Sequence, residues 1–290
     1  FISCPLPLST VEGRLTLTTA TPVTTSDVTA ATTIYFTPYN GDRIYVYDGT
    51  RWKLYSFSEI SLAVPATTDT NFDIFIYDNA GTLTLETANW TNDTTRATAL
   101  VLQNGVWCKT GALTRRYLGT GRTTGVSGQC EDSKAKRLFW NCYNRIMYRD
   151  FRNDTTDNWT DAGNGTWSAM NGGNAAWRHD FVRGLNEDAV LGQAEVCMQN
   201  NNSSFPNTGI AIDSSTVIDR AKTILATQGN NTIITSEAQF VDLPVAGFHY
   251  LQTVETTGDV ASAKWYGDNG ATIGGGLIGI NSGFFTQGTR

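Results

Sequence analysis

The sequence is poor in ionisable side chains. Only 17% of its 290 residues are charged, against about 25% in an average soluble chain. It contains two histidines, His179 and His249. This scarcity excludes a histidine-rich metal site and leaves few places for a catalytic dyad or triad that uses histidine.

The cysteine pattern argues against both zinc and a disulfide framework. The five cysteines form no CxxC pair, and an odd number cannot all be paired within one chain. We interpret them as buried free thiols, and one or two bridges, within or between subunits, are the alternative. They are Cys4, Cys108, Cys130, Cys142 and Cys197.

Basic charge, long apolar runs and catalytic motifs are also lacking. The net charge is −6, so no basic surface is predicted that would bind nucleic acid. The mean hydropathy is −0.25, and no run approaches the roughly 18 apolar residues that a membrane-spanning helix needs. No GxSxG, Walker, HExxH or EF-hand motif is present. We therefore predict no enzyme activity, no cofactor and no metal; Glu255 and Asp268 as a glycosidase pair are the alternative.

Residues 14–128 have the composition of β-strands. Threonine, valine, isoleucine and aromatic residues dominate, and these side chains suit a pleated sheet. Alternating runs flank the turn dipeptides Asp48-Gly49 and Asn104-Gly105, and a third turn lies at 78–81, which indicates three hairpins. We predict an N-terminal β-sandwich or barrel-like domain here.

The apolar spacing changes at residues 129–150. Apolar side chains recur every three or four residues from Ala135 to Met147, which predicts one amphipathic helix with Asp132 or Ser133 as its N-cap. The following residues, 151–164, are rich in Asn, Asp and Gly and are predicted to be a linker.

Residues 165–290 again predict strands, eight in all, in the space that a jelly-roll-like sandwich needs. The segments 248–254 and 277–280 are apolar on both faces, which predicts burial on both faces. A neighbouring subunit would cover the second face. The fold class is therefore all-β, with one helix between two β domains.

Two further features predict binding surfaces. Residues 1–13 are apolar and contain Pro5 and Pro7, so we predict an extended arm that needs a partner surface.

Five tryptophans lie beside turns, where a ring either covers the end of a sandwich or stacks on a sugar. They are Trp52, Trp90, Trp107, Trp159 and Trp265.

Several segments of residues 14–149 resemble a family of virion proteins of tailed bacteriophages, which are fibre-like. One of them is Tyr39-Asn-Gly-Asp-Arg-Ile-Tyr-Val-Tyr-Asp-Gly49. The others are 14–19, 21–29, 75–83, 90–100, 114–120 and 136–145. The C-terminal segments 247–251, 265–268 and 276–279 are more loosely similar to the jelly-roll heads of phage fibres of the tumour-necrosis-factor or complement-C1q type.

The resemblance implies a virion structural protein: a homotrimeric fibre, spike or decoration on head, neck or tail, with a C-terminal domain that binds the host surface, for example a glycan. A tailspike enzyme that degrades host polysaccharide, or a secreted cellular adhesin or filament subunit, is the alternative. We expect a trimer interface formed by Leu138, Phe139, Cys142, Tyr143, Ile146, Phe248, Tyr250, Leu277 and Ile280. We expect the arm to attach to other virion proteins through Phe1, Ile2, Leu6 and Leu8.

Overall fold

The computed structural model describes residues 7–161, 165–199, 206–223, 233–257, 263–268, 270–273, 276–279 and 282–290. These residues form strands joined by turns, with no helix of seven or more residues among them. The strands of the N-terminal half are β1 (Gly13–Thr16), β2 (Val28–Ala31), β3 (Thr33–Pro38), β4 (Arg43–Tyr47), β5 (Trp52–Ser56), β6 (Ile60–Ala63), β7 (Asn71–Asn79), β8 (Thr82–Asn89), β9 (Leu100–Gln103), β10 (Val106–Lys109), β11 (Ala112–Arg122), β12 (Cys130–Asp132), β13 (Lys136–Arg137) and β14 (Phe139–Asn141).

The C-terminal half contains the remaining strands and two 3-10 helices. The strands are β15 (Met147–Asn153), β16 (Asn158–Asp161), β17 (Ser168–Ala169), β18 (Arg178–Arg183), β19 (Val190–Gln199), β20 (Asn207–Ile212), β21 (Arg220–Thr223), β22 (Ile233–Asp242), β23 (Gly247–Thr256), β24 (Ala263–Tyr266), β25 (Gly270–Ile273), β26 (Gly276–Gly279) and β27 (Gly283–Thr289). The 3-10 helices are η1 (Met170–Gly173) and η2 (Ala175–Trp177).

The N-terminal half is built on antiparallel hairpins. One sheet has the order β1-β3-β6, β4 pairs with β5, and a larger sheet has the order β8-β7-β11-β10-β9, with β14 also on β11. The three hairpins predicted from sequence are confirmed as β4–β5, β7–β8 and β9–β10. Asn104 and Gly105 both adopt positive φ, 53° and 81°, as the tight turn between β9 and β10 requires.

The C-terminal half is a β-sandwich. One sheet has the order β2-β12-β13-β18-β23-β20-β21, and the facing sheet has the order β15-β27-β19-β24-β16, with β22 also paired to β19. Large side chains from both sheets meet between them with no exposed surface, including Phe181, Leu251, Trp265 and Phe284. The alternation of buried and accessible residues along β19 is what a strand with one face on this core produces.

The two halves share a sheet. Strand β13 of the N-terminal half pairs in parallel with β18 of the C-terminal half, with Lys136 opposite Asp180. A separate apolar cluster, which includes Phe75, Tyr117, Trp140 and Val182, lies where the halves meet. The halves therefore pack through both backbone pairing and buried side chains.

The predicted helix at 129–150 is wrong. This segment forms β12, β13, β14 and the start of β15. Instead of capping a helix, Asp132 lies opposite Arg137 across a short hairpin, and Ser133 and Lys136 exchange backbone hydrogen bonds of 2.9 and 3.2 Å. Asn144, with φ of 52°, turns the chain into the next strand.

The apolar periodicity of this segment has a different cause. Leu138, Phe139 and Trp140 are consecutive and all 3% exposed or less, because the short strand β14 and the residue before it are covered on both faces. A helix of this sequence would place at most part of such a run on its buried side. The residues predicted as a linker, 151–164, include the end of β15 and all of β16.

Candidate functional site

The residues predicted to form a trimer interface lie in several environments of one chain. Leu138 and Phe139 are each 3% exposed, and Cys142 is also buried. Tyr143 and Ile146 are half-buried. Since neighbouring strands of the same chain already cover the first three, little of their surface remains for a partner copy.

The predicted interface residues on β23 also contact their own chain. Phe248 lies under the Arg122 guanidinium, with 3.8 Å from its ring centroid to Cζ. Tyr250 lies under Arg178 at 3.7 Å. Residue 277 is in β26, where the structure describes the backbone only, and Ile280 lies outside the described residues.

A different surface of the C-terminal half exposes large apolar side chains. It is the solvent side of strands β15, β27, β19 and β22, here called the outer face. Met147 is 66% exposed, Phe151 46% and Val241 58%, and the register places Phe151 beside Phe285. The solvent side of an antiparallel sheet is ordinarily polar, so this face is unusual for a surface that only meets water.

The outer face also carries uncompensated charge of both signs. Arg149 lies 4.9 Å from the Phe285 ring centroid and forms no ion pair with any described residue. On the same face, Glu195 and Glu237 accept hydrogen bonds from the Gln193 amide, at 3.1 and 2.8 Å, and no lysine or arginine among the described residues pairs with them. A second copy could therefore place a cation against these carboxylates.

The described part of the N-terminal arm is docked on its own domain. Val11 bridges to Ile44, and the buried Arg116 donates hydrogen bonds to the carbonyls of Leu8, Ser9 and Thr10 at 3.0, 3.0 and 3.3 Å. Leu8 is half-buried. The other predicted anchoring residues, Phe1, Ile2 and Leu6, lie outside the described residues.

Buried ion pairs join the strands of residues 129–150, the segment predicted to be a helix, to one another and to the last described residue. The Arg137 guanidinium donates two hydrogen bonds to the Asp150 carboxylate, at 2.9 and 2.7 Å, and one to Asp132 at 2.9 Å. Asp132 also pairs with Arg290, whose backbone carbonyl accepts a 3.0 Å hydrogen bond from Arg14. The two carboxylates thus fix Arg137 within this segment, and Asp132 also ties it to Arg290 at the other end of the described chain.

His179 is fully buried next to this network. Its Nδ1 lies 3.1 Å from the Lys134 carbonyl, which can only accept, so Nδ1 carries the proton and Nε2 accepts from the Tyr148 hydroxyl at 3.0 Å. Burial, and secondly the charge of Arg152, hold the pKa of His179 well below its usual value. The imidazole is therefore neutral in the folded protein.

We expect acid to destabilise the protein through His179. The unfolded chain binds a proton below about pH 6.5 that the folded chain excludes, so stability is present above that pH and falls below it. Between pH 7.5 and 5.5 we expect the free energy of unfolding to fall by about 1.4 kcal/mol. Urea unfolding at the two pH values would measure this loss. His179→Gln, which keeps a donor and an acceptor, should flatten this part of the profile. His249→Gln is the control, and a decline that persists unchanged in His179→Gln would contradict the assignment.

The five tryptophans predicted to lie near turns divide into two groups. Trp90 and Trp265 are 5% and 0% exposed and belong to the protein interior. Trp52, Trp107 and Trp159 are half-buried and keep part of a ring accessible. Trp107 lines a cavity of about 610 Å³ between the two halves, together with Leu100, Arg96, Leu185 and Glu187 among others.

The alternative glycosidase pair is not supported by the environments of its members. Both oxygens of the buried Glu255 carboxylate accept hydrogen bonds, one from Trp159 Nε1 at 2.7 Å and one from the Asn171 backbone at 3.0 Å. Asp268 is exposed. A carboxylate held in this way orients its neighbours.

The described cysteines form no disulfide among themselves. Cys108, Cys130, Cys142 and Cys197 are free, and burial raises the pKa of Cys108 to about 11. No cluster of three or more potential metal-binding side chains occurs among the residues that the structure describes. Within the same ranges no helix has the length and apolarity that crossing a membrane needs. Cys4 lies outside the described residues.

Comparisons with known proteins give weak similarities of shape. No family model and no curated protein matches the chain. Eiger TNF from S. frugiperda matches 50% of this chain and 92% of its own, with 8% identity and a TM-score of 0.29. The infectious bursal disease virus VP2 subviral particle matches 91% of this chain and 74% of its own, with 12% identity and a TM-score of 0.28.

A third similar structure is a β-porphyranase of glycoside hydrolase family 86 from Bacteroides plebeius, with 9% identity and a TM-score of 0.24. It aligns over 92% of this chain, which spans about a third (35%) of the length of that enzyme. Similarities at this level assign neither a family nor a function to this chain.

Proposed function

We propose that this protein is a structural component of a tailed-bacteriophage particle, a homotrimeric fibre, spike or decoration that exposes a host-binding β domain. The observation that carries the proposal is the outer face, where Met147, Phe151 and Val241 are exposed on a regular sheet. Burial of apolar surface drives association, and the unpaired charges of both signs favour a second copy as the partner. The resemblance of residues 14–149 to phage virion proteins supports the location.

The trimer supplies the mechanism of attachment. Three copies of a weak surface site, held at fixed spacing, bind a multivalent host surface far more tightly than one copy does. Stable interfaces between protein subunits bury on the order of 1,200 Å² or more in total. The outer face spans four strands, so it offers a continuous surface for such an interface.

The test is a matched pair of substitutions. Val241→Asp places a charge on the outer face, and Val126→Asp places the same charge at an equally exposed position of the N-terminal half, since the two valines are 58% and 55% exposed. Light scattering at micromolar concentration should give a trimer for the native chain and for Val126→Asp, and a monomer for Val241→Asp. A monomeric native chain, or a trimeric Val241→Asp variant, would overturn the proposed interface.

The location is tested separately. Mass spectrometry of purified phage particles should find the chain at a fixed copy number, and terminase, portal and capsid genes should lie beside its gene. Release of reducing sugar from the host envelope by the purified protein would favour the tailspike-enzyme alternative. A gene neighbourhood of cellular surface proteins would favour the adhesin or filament alternative.

A further inference from the structure

An open cleft lies at one edge of the C-terminal sandwich, here called the Trp159 cleft. Its volume is about 560 Å³, which is within the range of 300–1,000 Å³ that is usual for small-molecule sites. Its lining includes Trp159, Asn171, Gly172, Glu255 and four serine or threonine residues. It is separate from the outer face, so ligand binding and assembly do not compete for one surface.

The position of Trp159 follows from strand order. Strand β16 is at the edge of its sheet, and Trp159 pairs with the fully buried Trp265 on the neighbouring strand. Its indole therefore points between the two sheets, but no further strand among the described residues pairs with the outer edge of β16. The ring meets Trp177 edge-on, with 6.3 Å between ring centroids, and keeps part of its surface accessible in the cleft.

Hydrogen bonds hold this ring in one orientation. The Nε1–H of Trp159 donates to Glu255 on the opposite sheet, and the second oxygen of that carboxylate accepts from the Asn171 backbone. Asn171 adopts φ of 50°, and its side-chain amide donates to Asp154 at 2.7 Å and to Thr156 at 2.8 Å. The aromatic surface is thus preorganised, which lowers the entropic cost of binding a ligand.

The rest of the cleft offers hydroxyl groups. Thr160, Ser168, Ser215 and Thr216 are among its lining residues, and none of the four hydroxyls has a hydrogen-bond partner among the described residues. Gly172 adds an open stretch of backbone, since a Cβ placed there would meet nothing within 4 Å. Each hydroxyl can both donate and accept, as the hydroxyls of a sugar do.

The charge of the cleft selects among sugars. No lysine or arginine is among its lining residues, and its single charged group is the Glu255 carboxylate. An anionic group would find no cation here and would meet a fixed negative charge. An apolar peptide side chain would leave the free hydroxyls without partners.

We propose that the Trp159 cleft binds a neutral saccharide, with the apolar face of one sugar ring stacked on Trp159 and its hydroxyls bonded to the serine and threonine side chains. This inference deepens the proposed host-binding role and rests on it for its biological meaning. Binding by one cleft is weak, and the three clefts of a trimer supply the avidity.

The test uses the purified full chain and two steps. An array of neutral oligosaccharides built from glucose, galactose, mannose and N-acetylglucosamine, with uronic-acid and sulfated oligosaccharides beside them, identifies the ligand. Calorimetric titration then measures Kd for the strongest neutral binder. Trp159→Ala should raise Kd tenfold or more, while Trp52→Ala and Trp107→Ala, which alter two half-buried tryptophans away from the cleft, should change it less than twofold.

A second variant covers the case in which Trp159→Ala does not fold. Ser215 is exposed and lies in a loop, so Ser215→Arg fills the cleft without touching the core, and it should also raise Kd tenfold or more. Binding to no neutral oligosaccharide, binding only to anionic ones, or loss of binding in Trp107→Ala rather than in Trp159→Ala would overturn the inference. Light scattering of the same samples reports whether the chain is a trimer. Loss of saccharide binding by a trimeric sample therefore contradicts the cleft, whereas a monomeric sample contradicts the proposed assembly.

Discussion

Replacing Arg137 with methionine should lower the free energy of unfolding by about 3–5 kcal/mol, the usual cost of breaking a buried ion pair from one side. The guanidinium is hydrogen-bonded to Asp150 and Asp132, and the side chains of all three residues are 12% exposed or less. Burial alone would lower the pKa of Arg137. The pKa is nevertheless raised, because these two carboxylates stabilise the charged form of the guanidinium. Methionine would leave two buried carboxylates without their shared cation.

Urea unfolding at pH 7.5 measures this loss, and an exposed ion pair provides the control. Lys53 lies 2.8 Å from Asp48 at the tip of the β4–β5 hairpin, with 40% of its side chain exposed. Lys53→Met should therefore cost less than about 1 kcal/mol. Equal losses in the two variants would show that the network around Arg137 contributes no more than a surface pair does.

The parts of the fold that could be predicted from sequence are those set by local chemistry. Asp48-Gly49 and Asn104-Gly105 specify tight turns whatever surrounds them, and the alternating runs beside them pair as expected. The β composition of both halves was equally informative. Register between distant strands, such as β13 beside β18, depends on packing that no local pattern encodes.

The segment 129–150 shows why helical spacing misleads in a β protein. Its apolar residues recur at helical intervals, yet Arg137 and Asp132 between them are buried, since each neutralises the other. A hydrophobicity pattern treats such charges as solvent-facing, so it assigns them to the polar side of a helix. The ion pairs that bury these charges come from the strand pairing itself, and one of them, Asp132 with Arg290, joins residues far apart in sequence.

The two candidate surfaces differ in how far sequence could identify them. Trp159 is among the turn-adjacent tryptophans that the sequence indicates, but only the edge position of β16 distinguishes it from the buried Trp265. The outer face was missed because its apolar residues come from four separate strands. In each strand alone, Phe151 or Val241 is an ordinary apolar residue.

Substitution of Arg116 should release the N-terminal arm. Its guanidinium is fully buried and donates to four backbone carbonyls, those of Leu8, Ser9, Thr10 and Tyr45, at 2.6 to 3.3 Å. Arg116→Leu would leave these acceptors unsatisfied, and each costs on the order of 1 kcal/mol or more when it stays buried. A docked arm would therefore lower the free energy of unfolding by at least about 3 kcal/mol. We expect residues 7–10 to detach instead, because their carbonyls then recover hydrogen bonds from water and the loss is smaller.

The adjacent arginine on the same strand is a matched control. Arg115 is accessible and pairs with Glu86 at 3.3 Å, so Arg115→Leu should cost less than about 1 kcal/mol. Hydrogen exchange should show faster exchange at residues 8–12 in Arg116→Leu and native rates there in Arg115→Leu.

If the arm attaches the protein to the particle, Arg116→Leu will also lower the copy number of the chain in particles. The reason is that a detached arm no longer holds its attachment residues in a fixed position. Native exchange rates at 8–12 in Arg116→Leu would mean that β1 and the Val11–Ile44 bridge alone hold the arm.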